Sequence, residues 1–449
     1  MRFALGVLSR YNGRVRTTAT TQATATERRI FLTFLPLALM WLMMGLEGPI
    51  IAATVARLPA PKINLAAHGV AFTLGVLIHS PVIQLLAAAT ALGSTAGSYR
   101  RLLGFAVVLI GSLTLLHVLI GVTPLYPLLV ERLMSIPRDI AVRSRPAFLV
   151  MIPSAAAVGF RRLWQGVLIR NGKAAIIPVT MLTRLGAIAC SAAFFLTFPV
   201  LDGVVAGAAV GFFGLSVGCI MTYLFARPVV RDLPAREEAQ CTPGSAGLVR
   251  FYVPLALTSV MMVGVRPLIT LGLARSEYPL ESLALWPVLT AFVFLFQSVA
   301  VSYQEVVVAL GGAPGARESL RCFAVKIGVV LAVLVSLVAI PPVGRFYFEQ
   351  VAGVPEDLVP LTRLPVVLLV PFMALSVSAV FHRGVLVQRG RTGGISQAVG
   401  IHAAVVTGLM FAAALTLPGP GIYYAAGALT IGMAVQAVVL GRKTAGMAA

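Results

Sequence analysis

Long apolar runs separated by short polar ones recur along the whole chain, and a membrane-spanning helix needs about 20 mostly apolar residues. Twelve segments have that character, roughly 30–56, 66–92, 102–123, 147–169, 174–198, 203–226, 249–274, 282–310, 322–341, 364–388, 395–416 and 421–441. They predict an all-α polytopic membrane protein. The runs are also related to one another. Pro36 to Arg57, PLALMWLMMGLEGPIIAATVAR, returns at Pro254 to Arg275 as PLALTSVMMVGVRPLITLGLAR, at an offset of 218 residues with ten of 22 positions identical. The same offset, without a gap, aligns Glu131, Pro137, Asp139 and Arg145 with Glu349, Pro355, Asp357 and Arg363. It also aligns Gly166-Val167-Leu168 and Gly172 with Gly384-Val385-Leu386 and Gly390. The chain is one six-helix unit written twice.

An even number of helices returns each unit to its starting side, so the copies are parallel repeats related by an axis along the membrane normal. The expected organisation is a disordered cytoplasmic tail (1–29), an N-lobe (30–226), a cytoplasmic linker (227–248), a C-lobe (249–443) and a C-terminal tail (444–449). The connections 124–146 and 342–363 are each expected to hold a short amphipathic helix at the outer surface. Alternate connections carry 21 Lys and Arg on the side of the N-terminus against 9 on the other. The positive-inside bias then puts both termini in the cytoplasm. Arg outnumbers Lys 31 to 4, which favours a bacterial source and so an inner membrane.

Composition agrees: 59% hydrophobic, 11% charged, with a mean hydropathy of +0.95, unlike any soluble globular chain. A net charge of +20 would suggest nucleic acid in a soluble protein. In this chain much of it belongs at helix ends facing the cytoplasm, and no nucleic-acid partner is expected. Four cysteines are scattered without metal-ligand or CxxC spacing, so neither a metal nor a cofactor is indicated. The sequence holds no HExxH, no Gly-rich phosphate loop and no Ser/His/Asp set in plausible order, which argues against an enzyme.

The informative residues are charges inside the spans. Arg161, Arg162, Arg184, Arg266 and Arg383 fall there, and only Glu47 and Glu305 share the spans as acids. Each buried arginine costs about 2.5 to 3.5 kcal/mol on insertion scales, so such residues face a wet cavity or a partner. Two acids neutralise at most two of the five. The surplus favours an anionic solute and repels a cationic drug.

Arg184 lies ten residues into its span, roughly 15 Å, too deep to snorkel easily. Arg266 and Glu47 occupy nearly equivalent repeat positions, with a mutual salt bridge as the alternative to a binding role. Arg161 and Gln165 share a helix face, whereas Arg162 is expected to point elsewhere, towards packing or headgroups. Arg383 is close enough to the cytoplasmic end to snorkel. His79 stands opposite Gln297 in the repeat, and Arg184 opposite His402. A histidine in such a place is either a satisfied hydrogen-bonding residue or a ligand contact. Glu47 is the candidate proton acceptor, with Glu305 as a second ion-coupling candidate. Pro49, Pro81, Pro153, Pro267 and Pro371 sit inside spans, where they loosen helices.

Two six-helix lobes in parallel repeat, with Pro-containing first helices and a GVL-[IV]-x-x-G-[KR] stretch closing the fourth helix of each, resemble the multidrug/oligosaccharidyl-lipid/polysaccharide (MATE-like) flippase superfamily. Within it the chain is most similar to the progressive ankylosis family of anion exporters. That likeness lies in the segment at Pro36, in FYVPLALTSVMMVGVRPLITLGLAR with Arg266-Pro267, and in PVVLLVPFMALSVSAVFHRGVLVQRGRT from Pro365. The resemblance implies a two-lobe fold, a V-shaped cavity, alternating access, and efflux of a small polyanion such as pyrophosphate, nucleotide or citrate. It carries Arg266 over by position, whereas Glu47 only partly matches the acidic site of the drug-extruding branch. The leading expectation is a monomeric anion exporter gripping its substrate with Arg161, Arg162, Arg184, Arg266 and Arg383, aided by His79, Gln297 and His402. A coupling proton or sodium ion would act at Glu47 or Glu305. The alternatives are a flippase for a lipid-linked, pyrophosphate-bearing oligosaccharide and proton-coupled drug extrusion.

Overall fold

The structure, a computed structural model, describes residues 27–93, 95–234, 245–312, 315–389 and 393–445, apart from the side chains of residues 245, 246, 254, 258 and 262. Among these residues all regular structure is helical. The N-terminal half contains α1 (Glu27–Ala56), α2 (Pro61–His79), α3 (Leu85–Leu92), α4 (Ala96–Val122), α5 (Arg138–Val150), α6 (Ser154–Arg170), α7 (Ile177–Thr197) and α8 (Gly203–Arg231). The C-terminal half contains α9 (Ser245–Ala274), α10 (Pro279–Leu310), α11 (Ala316–Ala339), α12 (Arg363–Gln388), α13 (Gly393–Thr416) and α14 (Gly421–Ala445). Eleven spans pass on length and hydropathy, and the bent pair α5 and α6 makes a twelfth.

That pair corrects the sequence boundaries. The fourth span starts near 138 and bends by 45° at 151–153, where Pro153 cannot continue the hydrogen-bond ladder. Pro81 has a similar effect, converting Ser80–Gln84 into a 3-10 turn between α2 and α3. Glu27 to Arg29, expected in the tail, already belong to α1, and α8 runs on to Arg231, into the expected linker. Residues 235–244 and the tails at 1–26 and 446–449 lie outside the described residues.

The repeat survives in detail. Leu128–Leu133 and Phe346–Val351, 218 residues apart, are both π-helical, and each is followed by a left-handed residue at an equivalent position, Ser135 (φ 55°) and Gly353 (φ 74°). These segments lie on the face opposite the start of α1, called the distal face below. The glycine of the shared Gly-Val-Leu motif has one packing task in both halves. A Cβ on Gly166 would lie 2.5 Å from the Leu86 carbonyl oxygen of α3, and one on Gly384 would lie 2.7 Å from the Val307 Cβ of α10. Gly166→Ala is therefore expected to destabilise the protein by about 1 to 3 kcal/mol through overpacking. A lowered melting temperature with unchanged transport per folded molecule is the expected readout.

The halves meet along α1 and α10, where Gly45 would place a Cβ 2.7 Å from the Ser298 Oγ and Gly48 one 3.2 Å from the Ala291 Cβ. They also meet through α9 and the 80–84 turn, with Tyr252 Oη donating to the Pro81 carbonyl at 2.6 Å and Gln84 Nε2 to the Ser259 Oγ at 2.6 Å. At the distal face two arginines cross between halves. Arg57, just after α1, donates through Nη2 to the Gln350 and Val351 carbonyls at 2.5 and 2.8 Å. Its repeat equivalent Arg275, just after α9, donates through Nε to the Ser135 Oγ at 3.2 Å. The Lys62–Asp357 ion pair reinforces the same face.

Candidate functional site

Helices of the N-terminal half bring together a buried charged cluster. Glu47 comes from α1, Arg161 and Arg162 from α6, and Arg184 from α7, which packs against α8. Small residues allow this approach. A Cβ on Gly214 would lie 2.2 Å from the Ile188 side chain of α7, and one on Gly218 would lie 3.1 to 3.4 Å from the aliphatic stem of Arg184. Glycines spaced along α8 thus let α7 pack close enough to deliver its arginine.

Arg184 pairs with Glu47 through a charge-assisted hydrogen bond, each side chain only 11% exposed. Arg161 and Arg162 both lie within Coulombic range of that pair, and Cys219 of α8 lies beside the Arg161 backbone. Three guanidinium groups thus share one carboxylate. Arg161 is 3% exposed, and its Nε and Nη1 find no acceptor among the described residues. The same holds for Arg162 Nε, Arg184 Nε and Gln165 Nε2. A buried donor without an acceptor costs about 1 to 3 kcal/mol, more when charged. A ligand with several oxygens arriving here would meet donors already desolvated and in place.

Two sequence expectations change at this cluster. Arg162 does not point away: its Nη1 lies 3.4 Å from the Gln165 Oε1, and it belongs to the cluster. Glu47 pairs with Arg184 and not with Arg266, because α1 turns Glu47 towards α7 while Gly48, the repeat counterpart of Arg266, faces α10.

In the C-terminal half the counterparts of Gln165 and Arg184 are Arg383 and His402. These two lie within electrostatic range of one another, with His402 Nδ1 against Gly432, itself the counterpart of Gly214. Arg383 Nε has no acceptor among the described residues. Arg266, on α9, keeps an accessible side chain and has no hydrogen-bond or ion-pair partner for it among those residues. The Arg266 carbonyl accepts from Thr270 Oγ1 at 3.1 Å.

The remaining named residues lie elsewhere. His79 is buried against His117: His117 Nε2 donates to the Phe148 carbonyl at 2.9 Å, leaving Nδ1 to accept from His79 Nε2 at 3.0 Å. The pair ties α2 to α4 and α5. Glu305 is exposed and accepts from Trp41 Nε1 at 3.1 Å across the two halves. Gln297 is half-buried beside the α1 and α10 contact. Sequence reasoning missed Trp41, His117 and Cys219. It noted Arg57 and Arg275 only as matching ends of the repeat, although that identity was the signal for their shared contact.

Comparison with solved structures places the fold. The chain superimposes on an inward-facing multidrug resistance MATE family transporter of the MOP superfamily with a TM-score of 0.67 at 15% identity, covering 92% of this chain and 98% of that one. It superimposes on the lipid II flippase MurJ, inward closed conformation, with a TM-score of 0.68 at 13% identity, covering 92% and 87%. A third match is a Pyrococcus furiosus MOP superfamily transporter described as having a binding pocket of reverse polarity, with a TM-score of 0.59 at 16% identity, covering 93% and 96%. No protein-family model and no curated protein matches the chain. The fold is that of the MATE-like transporters, and its eleven long apolar helices, twelve with the bent pair, make it a polytopic membrane protein.

Proposed function

We propose that the protein exports a small anionic solute, phosphate- or carboxylate-bearing, by alternating access between its two lobes. One observation carries this: three guanidinium groups share a buried cluster with a single carboxylate, and five nitrogens there lack acceptors among the described residues. A polyanion supplies the oxygens those donors need, while a cation would meet a net positive field. A neighbour of this fold is described as having a binding pocket of reverse polarity that suggests a different function, which is consistent with a departure from cationic cargo here. Arg266 and Arg383 extend the basic surface along the path, and Glu47, displaced from Arg184 by the substrate, takes up the coupling proton. The protein acts as a monomer in a bacterial inner membrane with both termini in the cytoplasm.

The second reading is a flippase for a lipid-linked pyrophosphate, favoured by the similarity to the lipid II flippase and served by the same arginines. Proteoliposomes decide between them. Accelerated efflux of trapped radiolabelled pyrophosphate or citrate without any polyprenyl lipid supports the exporter. Movement confined to polyprenyl pyrophosphates would replace it with the flippase, and movement of cationic dyes alone would remove both.

A further inference from the structure

Arg145 and Arg363 occupy the same place in the two repeats but are used differently. Arg145 folds onto the end of α4, its Nε donating to the Gly121 carbonyl at 2.8 Å and its Nη2 lying 3.4 Å from the Thr123 carbonyl. The equivalent carbonyls in the second repeat belong to Ala339 and Pro341, at the end of α11. Arg363 has no bond to either, nor any ion pair among the described residues. A cavity of about 400 Å³ opens there instead, lined among others by Ala339, Pro341, Arg345, Glu356, Val359 and Arg363.

Its charges are arranged by sign. Arg345 is committed, bonding Glu349 at 2.7 Å and Glu356 at 2.6 Å. Glu356 is 76% exposed and has an oxygen to spare. The cavity therefore presents one unmatched guanidinium and one accessible carboxylate over an apolar floor. Around it the distal ends of α11 and α12 and the connection between them expose Leu337, Ile340, Val343, Phe346, Leu364 and Val367. On a membrane protein such a rim marks the depth where acyl chains give way to headgroups.

We propose that this cavity is a binding site for a phospholipid of the distal leaflet with an aminoethyl phosphate headgroup. The phosphate sits on Arg363, the ammonium on Glu356, and the acyl chains lie along the exposed rim. A soluble anion satisfies only one of the two charges and leaves the apolar floor uncovered. A headgroup of both signs satisfies both. The site is separate from the charged cluster of the N-terminal half and does not rest on the transport reading.

Native mass spectrometry of the purified full-length protein tests it, with phosphatidylethanolamine, phosphatidylcholine, phosphatidylglycerol and inorganic phosphate as probes. Phosphatidylethanolamine is expected to be retained as one tightly held copy, ahead of the other three. Arg363→Gln should lower that retention by about tenfold, the scale of one charge-assisted hydrogen bond. Glu356→Gln should bring it down to the level of phosphatidylcholine, whose choline cannot donate a hydrogen bond. Val359→Phe keeps every charge and fills the cavity, and should also release the lipid. Equal retention of all three lipids would overturn the proposal. So would unchanged phosphatidylethanolamine retention in correctly folded Arg363→Gln and Val359→Phe proteins, or preferential capture of phosphatidylglycerol or free phosphate.

Discussion

Arg161→Ala is expected to cut transport by roughly 10- to 100-fold while leaving the protein at least as stable as before. The two effects have one cause. Arg161 is 3% exposed with two nitrogens lacking acceptors, so in the empty protein it is a burden of about 2.5 to 3.5 kcal/mol on insertion scales. Its removal relieves that burden. Bound substrate loses one charge-assisted hydrogen bond of about 1.5 to 3 kcal/mol, which at 1.4 kcal/mol per decade gives the stated range. Arg184→Ala should behave differently, because it removes the hydrogen-bonded partner of the buried Glu47 carboxylate, at a cost of up to about 3 to 5 kcal/mol. The double variant Glu47→Ala/Arg184→Ala should regain stability without regaining transport. Thermal melting and liposome flux on the three variants check this. A purely structural arginine would instead lose stability in Arg161→Ala and keep its flux.

Arg57→Ala together with Arg275→Ala should open the distal face. Arg57 carries two bonds from one half to carbonyls of the other, and Arg275 returns one in the opposite direction. At this exposed face a hydrogen bond contributes about 1 kcal/mol net, so losing the three bonds of the clasp shifts the balance between states by about 3 kcal/mol. That is on the order of a hundredfold in population. Spin labels at Leu201 and Leu417, exposed on the distal connections of the two halves, should report a longer distance in the double variant. Transport should fall as well, since a protein held open on one side cannot complete its cycle. An unchanged distance distribution would show that the close contact of α1 with α10 holds the distal face by itself.

The sequence revealed the architecture because hydropathy and the repeat are long-range, redundant signals. Twelve apolar runs survive an error at any one boundary, and the 218-residue offset holds down to π-helical turns that no propensity scale would suggest. The site was legible in its residue types but not in its pairings. Glu47 could have met Arg184 or Arg266, and which one it meets depends on the rotation of α1 against α7. Arg162 was misjudged because adjacent residues on a helix are taken to diverge. Its long side chain bends back to Gln165, three residues on. Arg145 and Arg363 match in sequence, yet one caps a helix end and the other borders a cavity. Such a difference lies in rotamers and in the shape of neighbouring turns, which the residue pattern does not encode.

Calorimetric titration of the purified protein with pyrophosphate and, separately, with ethidium tests most directly whether the buried positive surplus selects the cargo. Saturable pyrophosphate binding that weakens with added salt, is lost in Arg161→Ala and has no counterpart with ethidium is the predicted result. Binding of ethidium with pyrophosphate inert, or pyrophosphate binding indifferent to Arg161, would contradict the account.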